Sequence, residues 1–373
     1  MRSRPTRLGM FCLAILAALA TATVSGQQAP PAPSQPAAPA AGQAPQAPGP
    51  DAFVYRVRVD LVLLNVAVTD KGGHYITGLR PTEFRIFEDG IPQHLAMFSE
   101  GSGAPETLLE PADIPPAAPR PPARPPEAKG TGAPVGGSNV FVIFDTSNFM
   151  YRNFVFAEDA ITEFVRNLDQ QDSVAVYGFS RNLLRACPLT RDRQEALAGV
   201  RRAVAGDDTS LYNSLLLTLQ DARQVPGRKV VVVFSNGPDN GSLVSPETVR
   251  EMAESEGISI YMISTQDATK DEISAAVFRR LTEHTGGKAY FARTWRQQTE
   301  AFGSIREDLA HLYMLSYYPA ANSNMGWRKV TVELAGENAR KYRIRTRTGY
   351  RPRIRTEREA ALPAGAEALP TQP

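Results

Sequence analysis

The sequence predicts a doubly wound α/β domain, a mostly parallel sheet with helices on both faces. Flanking strands on either side of it are expected to close into a β-sandwich. Three observations predict this. Within residues 139–310, short apolar runs alternate with helical patterns, as expected of a parallel sheet buried on both faces. Residues 53–100 and 311–352 alternate apolar and polar side chains, the period of strands with one wet face. Proline, at 30 of 373 residues, is gathered between these regions, where it marks linkers.

The elements follow in order. Arg2, Arg4 and Arg7 precede an alanine-rich apolar stretch at residues 10–24, and small residues follow it. This is the pattern of a signal peptide over 1–26, cleaved near Gly26. An uncleaved N-terminal anchor is the other reading of the same residues. Residues 27–52 are Pro, Ala, Gln and Gly almost throughout, and such a composition cannot offset its ordering entropy. Within 53–100, Phe53, Tyr55, Val57, Val59 and Leu61 alternate with charged residues, then the phase changes near Leu63 and Leu64. That change predicts a bulge or crossover. Glu88-Asp89-Gly90-Ile91 reads as a hairpin turn, since Asp-Gly tolerates positive φ.

Residues 101–138 read as a second linker. The α/β region then runs as strand 139–144, a helix marked by Phe154, Ala157, Ile161, Phe164 and Leu168, strand 173–179 and an antiparallel edge strand 183–189. Leu211, Leu215, Leu219 and Ala222 mark the next helix, followed by strand 229–234. Ser245-Pro246 starts another helix with a cap and a first-turn proline. Strand 258–263, helix 273–284 closed by Gly286-Gly287, strand 288–291 and a helix over 297–309 complete the domain. Beyond it, Tyr313, Leu315 and Tyr317, then Val330, Val332 and Leu334, then Tyr342, Ile344, Thr346 and Thr348 alternate again. Neither 53–100 nor 311–352 has a core of its own, so the two are expected to pair. The tail 353–373 is Ala/Pro-rich and expected to lie outside the fold.

Composition narrows the function classes. A formal net charge of +2 gives no electrostatic footprint for nucleic acid. Beyond the targeting segment no stretch is apolar enough for a membrane span. With Cys12 in that segment, Cys187 is left alone, and its apolar setting predicts a buried structural thiol. The four histidines have no ligand spacing for zinc. No nucleophile elbow, P-loop or dinucleotide fingerprint opens a helix.

In an open parallel sheet, ligands bind beyond the C-terminal strand ends. The loops to inspect are therefore Asp145-Thr146-Ser147-Asn148-Phe149, Asp207-Asp208-Thr209-Ser210-Leu211-Tyr212 and Ser235-Asn236-Gly237-Pro238-Asp239-Asn240. Their oxygen donors suit a hard cation. This arrangement resembles the von Willebrand factor type A domain and its metal-ion-dependent adhesion site. Asp145 and Ser147 match the first two ligand positions of that motif, and Thr209 matches its threonine. Phe149 stands where a second serine belongs, and Asn236 where an aspartate belongs. The flanks, with Val68-Thr69-Asp70-Lys71-Gly72, Phe84-Arg85-Ile86-Phe87-Glu88-Asp89-Gly90 and Arg345-Thr346-Arg347-Thr348-Gly349-Tyr350, are similar to an exported acidobacterial-type group of such proteins.

The resemblance implies a non-catalytic module for adhesion or envelope assembly, in the periplasm, in the envelope or secreted. It implies Mg²⁺ or Mn²⁺ held by Asp145, Ser147, Thr209 and Asn236. A protein ligand or envelope component would be met by Asn148, Asp208, Ser210 and Asp239. Two other readings stay open: a phosphatase-like hydrolase using Asp145 as nucleophile, and a structural envelope protein whose site is vestigial. In that last reading Asp145 and Thr209 serve only as caps and loop hydrogen-bonders. Arg343, Arg345 and Arg347 form an alternating stripe that could engage anionic partners or simply protect an edge strand. Tyr313, Tyr317, Tyr318 and Trp327 are expected in the sandwich core.

Overall fold

The computed structural model describes residues 61–108, 136–148, 150, 154–265, 270–336 and 339–352, with backbone alone at 154–156. The expected signal segment, the spacer, strand residues 53–60, most of the central linker, Phe149 and the tail lie outside the described residues.

The chain begins with β1 (Val62–Thr69), β2 (Phe84–Glu88), β3 (Ile91–Gln93), β4 (Leu95–Glu100) and the short β5 (Glu106–Thr107). β5 lies in the stretch read from sequence as linker. The α/β region follows as β6 (Ser138–Asp145), α1 (Phe154–Arg166), β7 (Ser173–Phe179), β8 (Leu183–Thr190), α2 (Arg193–Val200) and α3 (Leu211–Ala222). It continues through β9 (Arg228–Ser235), α4 (Pro246–Glu256), β10 (Ile258–Ser264), α5 (Glu272–Thr285), β11 (Ala289–Phe291) and α6 (Trp295–His311). The chain closes with β12 (Tyr313–Tyr317), β13 (Arg328–Leu334), β14 (Arg343–Arg345) and β15 (Gly349–Tyr350).

Six strands form the central sheet in the order β11-β10-β9-β6-β7-β8. All neighbours are parallel except β8, which runs antiparallel to β7 at the edge. Side chains alternate between two cores. Val140, Val142 and Phe144 pack with Ile161, Phe164, Phe302 and Ile305 from α1 and α6, and with Leu197 and Val200 from α2. Phe141 and Ile143 pack with Leu215, Val249 and Phe278 from α3, α4 and α5 on the other face. Helix ends are set by local chemistry. Ser245 caps α4 by accepting from the Thr248 amide. Gly286 closes α5 at φ 80, and a Cβ on Gly287 would stand 1.8 Å from the Ile260 carbonyl oxygen. The Cys187 thiol is fully buried, as its sequence setting predicts.

The flanking strands pair with each other. β1 lies antiparallel to β12, and β12 to β4, in the sheet β14-β1-β12-β4-β5. A second sheet, β15-β13-β2-β3, pairs β13 with β2. Val62, Leu64, Val66 and Val68 meet Phe84, Ile86, Val330 and Val332 between them. The turn joining β2 to β3 is Asp89 at φ 50 and Gly90 at φ 82, the left-handed pair that an Asp-Gly hairpin needs.

Three sequence expectations change. β1 holds one register against β12 through Leu63 and Leu64, so no bulge lies there. The apparent phase change arises because β1 is covered on both sides. Its odd positions face the α/β domain, where Ala67 joins the core and Asn65 Nδ2 donates to Ser259 Oγ at 3.0 Å. The irregularity falls instead between β12 and β4, at Ser316 and Tyr317. Second, Tyr313 and Tyr317 are fully buried in the sandwich, but Tyr318 and Trp327 are only half-buried.

Third, the arginine stripe is not a surface. Arg343 is exposed, but Arg345 and Arg347 enter the junction with the α/β domain. Arg345 pairs with the fully buried Asp308 and donates to the Gly286 carbonyl. Asp308 also accepts from Tyr75 at 2.6 Å and from Tyr261 at 2.5 Å. Burial alone would raise the Asp308 carboxyl, but Arg345, Lys288 and the two hydroxyls hold it below its usual range. Arg347 donates to the Glu254 carbonyl. The Glu254 carboxylate accepts from Thr348 at 3.0 Å and Arg250 at 2.6 Å, with His284 at 3.3 Å. Inside the sandwich, buried Glu88 is likewise met by Arg328, Tyr317 and Tyr350.

Candidate functional site at the C-terminal strand edge

The chain order reverses between β6 and β9, the two central strands of the sheet. The loops leaving their C-terminal ends must part in opposite directions, which opens the crevice where such folds bind ligands. Asp145 ends β6, and Ser235 ends β9.

Asp145 is fully buried. Its Oδ1 accepts from the Ser147 amide at 2.8 Å and its Oδ2 from Ser235 Oγ at 2.8 Å. Burial is the largest influence on this carboxyl and raises it. The Ser147 hydroxyl and amide and the Ser235 hydroxyl oppose that rise, and the charge of Asp239 adds to it.

Backbone hydrogen bonds stitch the three loops together. The Asn148 amide donates to the Asp207 carbonyl at 3.1 Å, and Gly206 to Thr146 at 2.9 Å. The Asn240 and Gly241 amides both donate to the Thr209 carbonyl, and the Thr209 amide donates to Asn240 Oδ1 at 3.0 Å. Ser147, Thr209, Ser210 and Asn236 are all buried beside this frame.

Two hydroxyls of the site stand without a partner, as do those of Tyr290, Ser316 and Thr346 elsewhere. Ser147 Oγ and Thr209 Oγ1 are buried and make no hydrogen bond of acceptable geometry. A buried polar atom left this way costs free energy unless something completes it. The Thr209 side chain is therefore not serving as a helix cap. Ser210 occupies the N-cap position of α3, also without a side-chain capping bond.

The remaining sequence candidates separate by role. Asp239 is taken up by backbone amides, accepting from Tyr212 at 3.0 Å, Ser242 at 2.8 Å and Gly241 at 3.2 Å. It shapes the entry to α3. Asp208 pairs with Arg181 and receives Asn240 Nδ2 at 3.4 Å. Asn148 is exposed at the loop surface. Sequence reasoning missed Ser235, which bonds Asp145 directly. Its signal was available, since it is the last residue of an apolar run that must deliver its side chain to the same crevice.

One carboxylate, two unsatisfied hydroxyls and the nearby Asn236 amide form an all-oxygen donor set that fits Mg²⁺ or Mn²⁺. No group of three His, Cys, Asp or Glu residues suited to a metal occurs among the described residues, so any such site leans on neutral donors.

A doubly wound domain with a hydroxyl-and-carboxylate crevice at its switch point is thus the class defined by fold and site. Residues 139–304 match the profile of the von Willebrand factor type A domain, and the α/β unit of this chain is a domain of that family. No curated protein matches the sequence. Among solved structures, the chain is similar to the von Willebrand factor type A protein from Catenulispora acidiphila, at 12% identity, covering 57% of this chain and 65% of that one, TM-score 0.40. It is similar to the conserved hypothetical protein BatB from Bacteroides thetaiotaomicron, at 15% identity, 46% and 98% coverage, TM-score 0.38. The vWF domain of the type V pili tip protein Mfa5 from Porphyromonas gingivalis matches at 10% identity, 46% and 94% coverage, TM-score 0.40. At these identities and scores the likenesses assign neither ligand nor partner to this chain.

Proposed function

We propose that this chain is an exported, non-catalytic interaction module that takes a protein ligand at the crevice between β6 and β9, through a divalent cation. The observation that carries this reading is the pair of buried, unsatisfied hydroxyls of Ser147 and Thr209 beside the buried Asp145 carboxylate. Membership of the type A domain family supports the protein-binding role. The basic and apolar N-terminal residues support export.

Asp145, Ser147 and Thr209 would hold the cation, with Asn236 as a neutral donor in place of a carboxylate. A bound Mg²⁺ or Mn²⁺ supplies a positive centre for an anionic group of the partner. Ser235 and the Ser147 amide hold the Asp145 carboxylate in place. With one acidic donor the site is weaker than one with two, and a partner's carboxylate would strengthen it most. A phosphatase-like use of Asp145 would need a second acid beside it, and Ser147 stands at that position. Thermal unfolding of the full chain with EDTA and then with excess Mg²⁺ or Mn²⁺ tests the proposal. A rise in Tm that Asp145→Ala abolishes supports it; an unchanged Tm makes the site vestigial. A generic phosphatase assay on the wild type and Asp145→Ala tests the non-catalytic part, which activity lost in the variant would refute.

A further inference from the structure

Asn236 is buried just beyond the end of β9, and Gly237 follows it. In an Asn-Gly pair the glycine nitrogen can attack the amide carbon of the asparagine side chain. Glycine favours this reaction because it puts no side chain in the path and lets the backbone approach closely. Two features of the loop single out this pair. Gly237 has φ 117, and a Cβ there would stand 3.1 Å from Ser274 Cβ, so glycine is required on two counts. The Gly237 amide donates to Ser235 Oγ at 3.3 Å, and that hydroxyl donates to Asp145 Oδ2 at 2.8 Å. The nitrogen that must lose a proton is joined through one hydroxyl to a buried carboxylate, a route for general-base removal.

Asn240-Gly241 lies in the same loop and is the natural comparison. The Gly241 amide donates to the Thr209 carbonyl at 2.9 Å, and a carbonyl cannot pass a proton on. It also donates to Asp239 Oδ1 at 3.2 Å, which the Ser242 amide holds more closely at 2.8 Å. The Asn240 side chain accepts from the Thr209 amide at 3.0 Å and donates to Asp208 Oδ1 at 3.4 Å. It would have to break both bonds to meet Gly241.

We propose that Asn236-Gly237 is a self-modification site at which the folded chain converts Asn236 to aspartate. The Gly237 nitrogen passes its proton to Ser235 Oγ as that hydroxyl passes its own to Asp145 Oδ2. The nitrogen bonds to Asn236 Cγ and the Cγ–Nδ2 bond breaks. The proton held by Asp145 leaves with Nδ2, as ammonia. Water then adds at Cγ of the cyclic imide and breaks the new Cγ–N bond. That restores the Gly237 amide and leaves a side-chain carboxyl at position 236. Opening at the backbone carbonyl instead would lengthen the main chain by one carbon. The frame resists this, because the Thr265 amide donates to the Ser235 carbonyl at 3.2 Å and Gly237 packs on Ser274. Conversion gives the crevice a second acidic donor. Its consequence rests on the cation reading above: the aspartate form holds Mg²⁺ more tightly than the form first folded.

The test ages the full chain in EDTA at neutral pH and follows both Asn-Gly pairs by peptide mass mapping. Isoaspartyl methyltransferase marks any iso-linked product. The expected result is conversion of Asn236 to normally linked aspartate, ahead of Asn240. Ser235→Ala should slow it at least about tenfold, and Ser235→Thr, which keeps the hydroxyl, should restore it. An Asn236 amide that stays intact while Asn240 converts would overturn the proposal. So would an equal rate in Ser235→Ala, or a product at position 236 that is chiefly iso-linked. The consequence is read separately, from the Mg²⁺ concentration that half-saturates the rise in Tm. That concentration should fall at least about tenfold in Asn236→Asp, and the aged wild type should move toward it. An Asn236→Asp variant that responds no better than fresh wild type would sink the cation reading, while the conversion itself stands or falls on mass alone.

Discussion

Two buried polar regions of this molecule differ in how charge and unsatisfied oxygens are arranged around their acids. At the junction between sandwich and α/β domain, Asp308 and Glu254 are fully buried and every carboxylate oxygen is met by Arg345, Tyr75, Tyr261, Arg250 or Thr348. At the strand edge, Asp145 is as deeply buried, but of the hydroxyls near it only Ser235 bonds it with good geometry, and those of Ser147 and Thr209 make no hydrogen bond of acceptable geometry. Satisfied groups fix an arrangement, whereas unsatisfied ones invite a ligand. The junction has unsatisfied atoms of its own, Thr346 Oγ1 and Arg347 Nε, but its acids carry cationic partners, whereas Asp145 is held by a serine hydroxyl and an amide alone; the absent counter-charge separates the site from the structural cluster.

The largest effect expected from this comparison is at the junction. Asp308→Ala would leave Arg345 and Lys288 without their counter-charge in a buried setting. That should cost about 3–5 kcal/mol and lower Tm by roughly 10 °C in a domain of this size, read by calorimetry. A loss below 1 kcal/mol would mean that water reaches the junction and that the comparison is false.

Glu254 sharpens the same contrast through pH. Burial pushes its carboxyl up from 4.5 to about 7, opposed by Arg250. The folded state therefore holds this proton more tightly than the unfolded chain does. Its contribution to stability is fully present below about pH 4.5 and is lost as pH rises through about 7. Burial moves His284 the other way, below 6.5, so its contribution is present above that pH and falls away in acid. Glu254→Gln isolates the first effect. Wild-type stability should decline relative to the Gln variant between pH 5 and 7, by about 3 kcal/mol at most. Parallel denaturation curves across that range would contradict the account.

A smaller effect belongs to the site. Ser147→Ala and Thr209→Ala remove hydroxyls that make no hydrogen bond of acceptable geometry, so in EDTA each should change stability by less than about 1 kcal/mol. In Mg²⁺ each should lose part of the cation response. Destabilisation above about 1 kcal/mol in EDTA would show that these hydroxyls are structural after all.

Much of this was legible in the sequence, for reasons of period. The central strands are buried on both faces and read as unbroken apolar runs, and the helices between them carry Phe164, Leu215 or Phe278 at helical spacing. The pairing of the chain's two β regions followed from each lacking a core. Long-range ionic matching could not be read. Arg345 and Arg347 alternate with apolar residues as a wet strand face would, and their partners lie 37 and 93 residues away. β1 misled for a related reason, because covering by a second domain erases the polar alternation. α2 was missed because eight residues with Ala196, Leu197 and Val200 inward give too little periodicity. At the site, the donor types were visible in Asp145, Ser147 and Thr209. That Asp239 serves the α3 backbone, and that Ser235 rather than a second acid supports Asp145, needed coordinates.

The most direct test is the Tm of the full chain in EDTA against Mg²⁺ or Mn²⁺, for wild type and Asp145→Ala. At about a hundred times its dissociation constant the cation should stabilise the wild type by roughly 2.7 kcal/mol and leave Asp145→Ala unmoved. Equal Tm values for the wild type in EDTA and in cation would contradict the central claim that the strand edge is a cation-dependent site.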